Sequence, residues 1–242
     1  VASTGSTTFG YTDRVTTTHY SGGVTIKNAV NYDYDAYGNV TEEYQYGAVG
    51  ANGDERTILR RYYNIVTAIA AGKWFIGRQW KENVYAGLTI AETALKTQTF
   101  WYYDDPMYNV NNFIAANPPT VTLTQGKLTM RGQGKWSEYA TPGRFILTKY
   151  VYDAWGNVTQ EIDPNGNTMT TTYETTYRQF PTQVCRDPNG LNLCTLTRYY
   201  GTANEIVSND DFGLFGQVQK TYDSNGETET STYYVYDAFG RL

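Results

Sequence analysis

Histidine occurs once in this chain of 242 residues and cysteine only twice. One imidazole, His19, cannot build a histidine-based metal cluster, and two thiols fall short of a four-ligand zinc set. A Ser-His-Asp site would have to recruit His19, which lies in the run Val15-Thr16-Thr17-Thr18-His19-Tyr20 with no nucleophile-elbow motif beside it. Basic side chains are also scarce. Lys and Arg total 19 against 24 Asp and Glu, for a net charge of −5 and a pI near 5.0. Phosphate binding needs a basic footprint, so no nucleic-acid partner is expected. No apolar run approaches the ~18 residues of a spanning helix, and Val1-Ala2-Ser3 does not open a signal peptide, so no membrane span is expected.

Tyrosine and glycine are abundant, at 24 and 23 residues. The sequence Tyr-Asp-Ala-aromatic-Gly occurs three times: Tyr34-Asp35-Ala36-Tyr37-Gly38, Tyr152-Asp153-Ala154-Trp155-Gly156 and Tyr236-Asp237-Ala238-Phe239-Gly240. The first two continue alike, as Asn39-Val40-Thr41 and Asn157-Val158-Thr159. Looser copies keep the Asp-to-Gly step: Asp163-Pro164-Asn165-Gly166, Asp187-Pro188-Asn189-Gly190 and Asp223-Ser224-Asn225-Gly226. Asp can accept hydrogen bonds from backbone N–H groups just ahead of it, Pro suits the second turn position, and Gly tolerates the positive φ of the fourth. The pattern predicts a type I turn with a Gly bulge closing a three-residue hairpin loop. Alternating pairs such as Tyr32/Tyr34, Tyr150/Tyr152 and Tyr234/Tyr236 place aromatics on one face of the strand before each turn. Strand, tight turn, strand is the expected unit, with Gly38, Gly156, Gly166, Gly190, Gly226 and Gly240 at or beside hairpin turns.

Six copies agreeing in spacing resemble the YD repeats of the RHS family, which includes bacterial polymorphic toxins, components of insecticidal toxin complexes, wall-associated proteins and teneurins. The match is firm over residues 32–46 and 149–242. It is degenerate or interrupted over 47–148, where Trp101-Tyr102-Tyr103-Asp104 keeps only the aromatic core. Together with Trp74-Phe75-Ile76-Gly77-Arg78-Gln79-Trp80, the motif looks most like the shell-forming part of a toxin-complex B component. The resemblance implies an all-β fold over residues 1–242, in which antiparallel hairpin repeats form an extended, curved sheet belonging to a hollow shell. It implies a secreted or cell-surface structural segment that encapsulates a toxic C-terminal polypeptide. Its partners would be the remaining repeats of the shell, the enclosed toxin and, through the parent protein, a pore-forming toxin-complex component. The alternative is an extracellular adhesion or carbohydrate-binding module that uses surface Tyr and Trp as platforms. The chain lacks Met at its start and stops two residues after a repeat Gly, and is expected to be a piece of a longer protein.

Recurrence argues that the aspartates are turn residues, since a catalytic carboxylate pair occurs once per site rather than once per turn. Asp223-Ser224-Asn225-Gly226-Glu227 lacks the bidentate Glu of a calcium loop, because Tyr234 stands at the twelfth position. No catalytic, cofactor-binding or metal-binding residue is expected, and no enzymatic activity. Residues 1–31 read as strands, Asn52-Gly53 as a hairpin signal and Tyr63 to Gly72 as a short helix. Asp105-Pro106 and Asn117-Pro118-Pro119 mark loops, and the Gly213 to Gly216 region reads as a worn repeat turn. Cys185 and Cys194 flank Asp187-Pro188-Asn189-Gly190. A two-residue loop at Asn189-Gly190 would set the two cysteines directly opposite each other, within bridging distance. A three-residue loop suited to Pro188 would instead pair Cys185 with Leu193, and of the two readings free thiols are favoured over a bridge. Glu42, Glu43 and Lys220 are expected as charges that guard strand edges.

Overall fold

Threonine, valine and tyrosine dominate the segments between turn signals, and such side chains fit a pleated, half-buried surface. The chain is accordingly all-β. A computed structural model describes residues 10–63, 72, 75–104, 123–134, 146–186, 190–206 and 213–242. Among them the regular elements are fourteen strands and one 3-10 turn, Glu92–Ala94. All but the two end residues of the expected helix from Tyr63 to Gly72, and the loops at Asp105-Pro106 and Asn117-Pro118-Pro119, lie outside the described residues.

The chain divides into two compact units, Val1–Leu147 and Thr148–Leu242. The first holds β1 (Arg14–Ser21), β2 (Val24–Tyr34), β3 (Val40–Ala48), β4 (Arg56–Tyr62), β5 (Gln79–Ala86), β6 (Leu95–Tyr103) and β7 (Leu128–Gly134). Each of these pairs antiparallel with its neighbour in sequence. The second holds β8 (Ile146–Tyr152), which starts just before the division, then β9 (Val158–Ile162), β10 (Thr168–Tyr173) and β11 (Pro181–Arg186). It continues with β12 (Leu193–Tyr199), β13 (Val218–Asp223) and β14 (Thr232–Tyr233). These also pair antiparallel in sequence order. In such a meander, connections that follow even-numbered strands share one edge of the unit, and those that follow odd-numbered strands share the other.

Among the described residues the buried apolar clusters belong to the first unit. Phe100, Tyr102, Met130, Trp80, Tyr103, Tyr63 and Leu123 form one buried cluster, and Leu59, Tyr85 and Leu95 form another. Among the described residues of the second unit, the buried apolar ones are Cys185, Cys194, Tyr199 and Tyr200, alongside buried Gln219, Lys220, Glu174 and Thr202.

Four expectations are corrected. Cys185 and Cys194 are not free: they form a disulfide from directly opposed positions of β11 and β12, with Cα atoms 4.0 Å apart. The contrary expectation assumed a three-residue loop; here Arg186 pairs with Leu193, so the connection spans 187–192 and the ladder needs no closing bond from Pro188. Lys220 is no edge guard. It is 3% exposed within β13, donating to Glu227 at 2.8 Å and Tyr233 Oη at 2.6 Å, while Glu42 and Glu43 sit in β3, paired on both sides. The Asp223 turn does not close a tight hairpin, because β14 begins only at Thr232. Tyr234 and Tyr236 follow that short strand rather than belonging to it.

Candidate functional site

The Asp153 turn shows what the repeated residues do. Trp155 N and Asn157 N both donate to Asp153 Oδ1 at 2.9 Å, and Asn157 Nδ2 donates to Oδ2 at 2.9 Å. Asp153 N donates to Asn157 O at 3.0 Å and Gly156 N to Asp153 O at 3.3 Å, with Gly156 at φ 96. This is the expected type I turn with a Gly bulge. Asp35 and Asp163 repeat every one of these bonds with Asn39 and Asn167. At Asp237 the fifth residue is Arg241, whose Nε takes the place of the amide at 2.6 Å. Burial raises the Asp153 carboxyl, but the Asn157 side chain and the backbone N–H groups outweigh it and hold the group below the ordinary carboxylate range. The Asn167 amide does the same at Asp163, and backbone donors do so at Asp223 and Asp237. A carboxylate held ionised by several donors is poorly suited to deliver a proton near neutral pH.

Tyrosines that end four of the even strands, together with Tyr236 just beyond β14, have a second task. Tyr62 Oη donates to Val40 O at 2.8 Å, Tyr173 to Val158 O at 3.1 Å, and Tyr199 to Pro181 O at 3.0 Å. Tyr34 reaches Thr12 O at 2.8 Å and Tyr236 reaches Val218 O at 2.9 Å. Each hydroxyl ties the open end of a hairpin, opposite its turn, to the carbonyl at the start of the preceding strand. The register also slips by one residue beside the turns that follow even strands, leaving Thr41, Trp80, Thr129, Thr159, Thr182 and Gln219 as the extra residues. Thr129, Thr159 and Thr182 donate their hydroxyls to the carbonyls of Tyr102, Val151 and Thr172 at 3.2–3.3 Å. Asn-Val-Thr thus encodes a turn amide, a strand start and a bulge.

Three further turns on the same edges are interrupted by long insertions, yet keep the closing bond. Tyr63 N donates to Arg78 O at 2.9 Å, Asp104 N to Lys127 O at 2.8 Å and Tyr200 N to Gln217 O at 2.9 Å. Asp104 accepts from the backbone N–H groups of Thr124, Gln125, Gly126 and Lys127 at 2.7–2.9 Å. Burial opposes its ionisation, and these four donors prevail, so its carboxyl lies low. Glu174 provides a longer variant, accepting from Thr176 N at 2.7 Å and Tyr177 N at 2.6 Å.

The two sequence classes of turn therefore lie on opposite edges. Four turns after even strands carry an aromatic before the Gly, at Tyr37, Trp155, Phe215 and Phe239, while two of the interrupted ones carry Ile76 and Gln125 before Gly77 and Gly126; in the second unit the turns at Asp163 and Asp223, after odd strands, carry Asn165 and Asn225. Along the aromatic edge each turn touches the next. In the second unit Asn157 Nδ2 donates to Arg178 O at 2.6 Å, Tyr177 packs on Phe215 with ring centroids 4.8 Å apart, and Gln217 Nε2 donates to Gly240 O at 2.9 Å. Gly216 has room only as glycine, because a Cβ there would stand 2.8 Å from the Phe180 ring. In the first unit a Cβ on Gly126 would meet Phe75 at 2.9 Å.

Shallow grooves lie beside turns of this edge, and one is described in each unit. One has a volume of about 320 Å³ and is lined by Asp35, Tyr37, Thr41, Arg60, Arg61 and Tyr62 among others. Its counterpart, of about 350 Å³, is lined by Asp153, Thr159, Thr170, Thr171, Glu174 and Arg178 among others. Among the described residues no group of three or more His, Cys, Asp or Glu is placed to hold a metal ion. His19 is exposed in β1, and Asp187 lies outside the described residues. The tyrosine ties, the bulge threonines and the separation of the two edges were not visible in the motif alone, although the recurring Tyr before Asp, Glu or Tyr was their signal.

No family model matches the chain, and no curated protein matches it. Among solved structures it is similar to a chain of the Photorhabdus luminescens Tc holotoxin pore carrying a TccC3 mutation, at 9% identity and a TM-score of 0.26 over 94% of this chain. It is also similar to a chain of a TcdB2–TccC3–Cdc42 crystal structure, at 9% identity and a TM-score of 0.24 over 96% of this chain. The chain spans 14% of the length of each.

Proposed function

We propose that the chain is a structural segment of a secreted YD-repeat protein of the toxin-complex type, forming part of a wall that encloses a toxic polypeptide, and that it is not an enzyme. The observation that carries this reading is the use to which the distinctive residues are put. Asp, Tyr, Gly, Asn and Thr of the motif are engaged in closing a turn, tying a hairpin or capping a bulge, and turn abuts turn along one edge. The Cys185–Cys194 disulfide fits an oxidising, extracellular compartment. Among the described residues β1 pairs with β2 alone, at one edge of the first unit, where a further strand of a wall could add.

Limited proteolysis of the full-length parent protein tests the reading. The polypeptide that follows the repeats should resist protease while the repeats stay folded, and become sensitive once denaturant opens them. Digestion of that polypeptide at the rate of a free chain under native conditions would sink the proposal.

A further inference from the structure

An Asn-Gly pair carries its own reaction, because glycine has no Cβ to keep its backbone nitrogen away from the neighbouring side-chain amide. The chain holds four such pairs, at Asn52-Gly53, Asn165-Gly166, Asn189-Gly190 and Asn225-Gly226, and Asn189 lies outside the described residues. Two of the others are repeat turns, in which Gly166 N donates to Asp163 O at 3.0 Å and Gly226 N to Asp223 O at 3.2 Å. A peptide carbonyl accepts that hydrogen bond but is too weak a base to take the proton.

Asn52-Gly53 is built differently. It lies in the middle of the 49–55 connection between β3 and β4, where Gly53 N donates to Glu55 Oε2, a carboxylate oxygen, at 2.7 Å. The Asn52 side chain is exposed and has no hydrogen-bond partner among the described residues. Nothing stands within 4 Å of where a Cβ on Gly53 would be, so water reaches the pair. Both ends of the connection are pinned, since Ala48 N donates to Asp54 Oδ2 at 2.9 Å and Gly87 N to Glu55 O at 2.8 Å. The middle can change while the strands hold.

We propose that Asn52 is a self-modification site, at which Glu55 is the general base that converts the asparagine to an aspartyl or isoaspartyl residue with release of ammonia. Glu55 Oε2 takes the Gly53 N–H proton, and the electron pair left on that nitrogen forms a bond to Asn52 Cγ. The tetrahedral carbon then expels its amide nitrogen, which leaves as ammonia with the proton that Glu55 returns, and a succinimide ring joins positions 52 and 53. Water adds to one of the two ring carbonyls and breaks its bond to the Gly53 nitrogen. Opening at Cγ restores an ordinary peptide bond beside an aspartyl side chain; opening at the backbone carbonyl carbon routes the chain through the former side chain. Either route consumes one water overall and releases one ammonia. Both products add a carboxylate beside Asp54 and Glu55, on the edge that connections after odd strands share, and the isoaspartyl form also lengthens the backbone by one carbon. This goes beyond the wall reading and is independent of it, since the reaction needs only the folded connection and water.

Incubation of the whole chain at neutral pH, followed by peptide mapping with mass spectrometry and isoaspartate detection, tests the proposal. In the folded chain, conversion at position 52 should outpace that at positions 165 and 225 by about tenfold or more, a conservative figure for a positioned base. In denaturant, position 52 should slow and the three should converge. Glu55→Gln keeps a side-chain acceptor for Gly53 N while removing the base, and should slow conversion at position 52 about tenfold with the melting temperature unchanged. The folded-against-denatured comparison uses the unaltered chain and stands whatever that variant does to folding. Conversion at position 52 that is no faster folded than denatured, that fails to exceed positions 165 and 225, or that is indifferent to Glu55→Gln would each overturn it.

Discussion

The two units use the same hairpin but hold it in different ways. In the first, Phe100, Leu95 and Met130 are each 1% exposed, and residues flanking the interruptions, Tyr63, Phe75 and Leu123, pack into the same cluster. In the second, buried positions of β13 are polar and bonded. Gln219 accepts from Ile206 N at 2.8 Å and donates to Ile206 O at 2.7 Å, Lys220 is tied to Glu227 and Tyr233, and a disulfide crosses β11 and β12. The lesson is that the turn, the tyrosine tie and the bulge set the geometry, while the means of stabilising the faces is interchangeable. Apolar cover suffices where there is something to bury, and satisfied polar networks with a cross-link suffice where there is little.

Hydrogen exchange followed peptide by peptide can break this comparison. The largest effect should come from Phe100→Ala, which removes a fully buried ring and should cost about 3–5 kcal/mol, read as lost protection across β5 to β7. A loss under about 1 kcal/mol would mean that the first unit does not depend on its apolar cluster. Next comes the paired change Cys185→Ala with Cys194→Ala. It should cost about 2–3 kcal/mol, a short loop placing it toward the low end for native disulfides, and the lost protection should fall on β11 and β12.

Gly156→Val should cost about 1 kcal/mol or more, because a β-branched residue disfavours a φ of 96. Asp153→Asn should be milder, and Asp163→Asn milder still. Asn167 can turn its amide to suit the new partner, whereas Asn157 also donates to Arg178 O and would forfeit that bond on turning. Equal effects at Asp153 and Asp163 would show that the link between neighbouring turns contributes nothing.

The smallest and most graded difference is with pH. Asp153, Asp163, Asp223 and Asp237, all in the second unit, have carboxyls held below their ordinary value, as does Asp104 in the first. Each contributes stability that is present above the unfolded Asp value of about 4 and is lost as pH falls from there through the lower folded value. The second unit should therefore lose protection first on acidification. Tyr62, Tyr173 and Tyr199 are pushed up by burial, so their contribution is present below about pH 10 and fades as pH rises above it. If the first unit opened first in acid, the carboxylates would not be what distinguishes the two.

Much of this architecture was legible in the sequence. Asp with Gly three positions on fixes a turn by local chemistry alone, so the turns at Asp35, Asp153, Asp163 and Asp237 could be read directly, as could the worn copy ending at Gly216. What was hidden depended on partners distant in sequence. Asp104 finds its turn glycine at Gly126, and the intervening residues conceal the spacing. Because strands could not be counted through such interruptions, their parity was unreadable, and with it the fact that aromatic and asparagine turns occupy opposite edges. Thr159 reads as any strand threonine until register shows that it is the extra residue. The disulfide was missed because loop length was inferred from Pro188, whereas Arg186 pairing with Leu193 sets the register. The grooves needed the same long-range information, since Thr171 and Asp153 meet only once β8, β9 and β10 lie side by side.

The closing bond between Asp104 N and Lys127 O spans more than twenty residues as readily as its counterpart spans three at Asp153. Once the two ends of a turn are fixed by hydrogen bonds, the chain between them is thermodynamically almost free to lengthen, because closing a loop of twice the length costs only about 0.6 kcal/mol more. The aromatic edge is thus a row of sockets. Foreign sequence can be spliced into one without disturbing strand register, so relatives of this chain can diverge by exchanging what protrudes while the scaffold stays constant, and an engineer can use the same positions to graft a binding peptide or reporter.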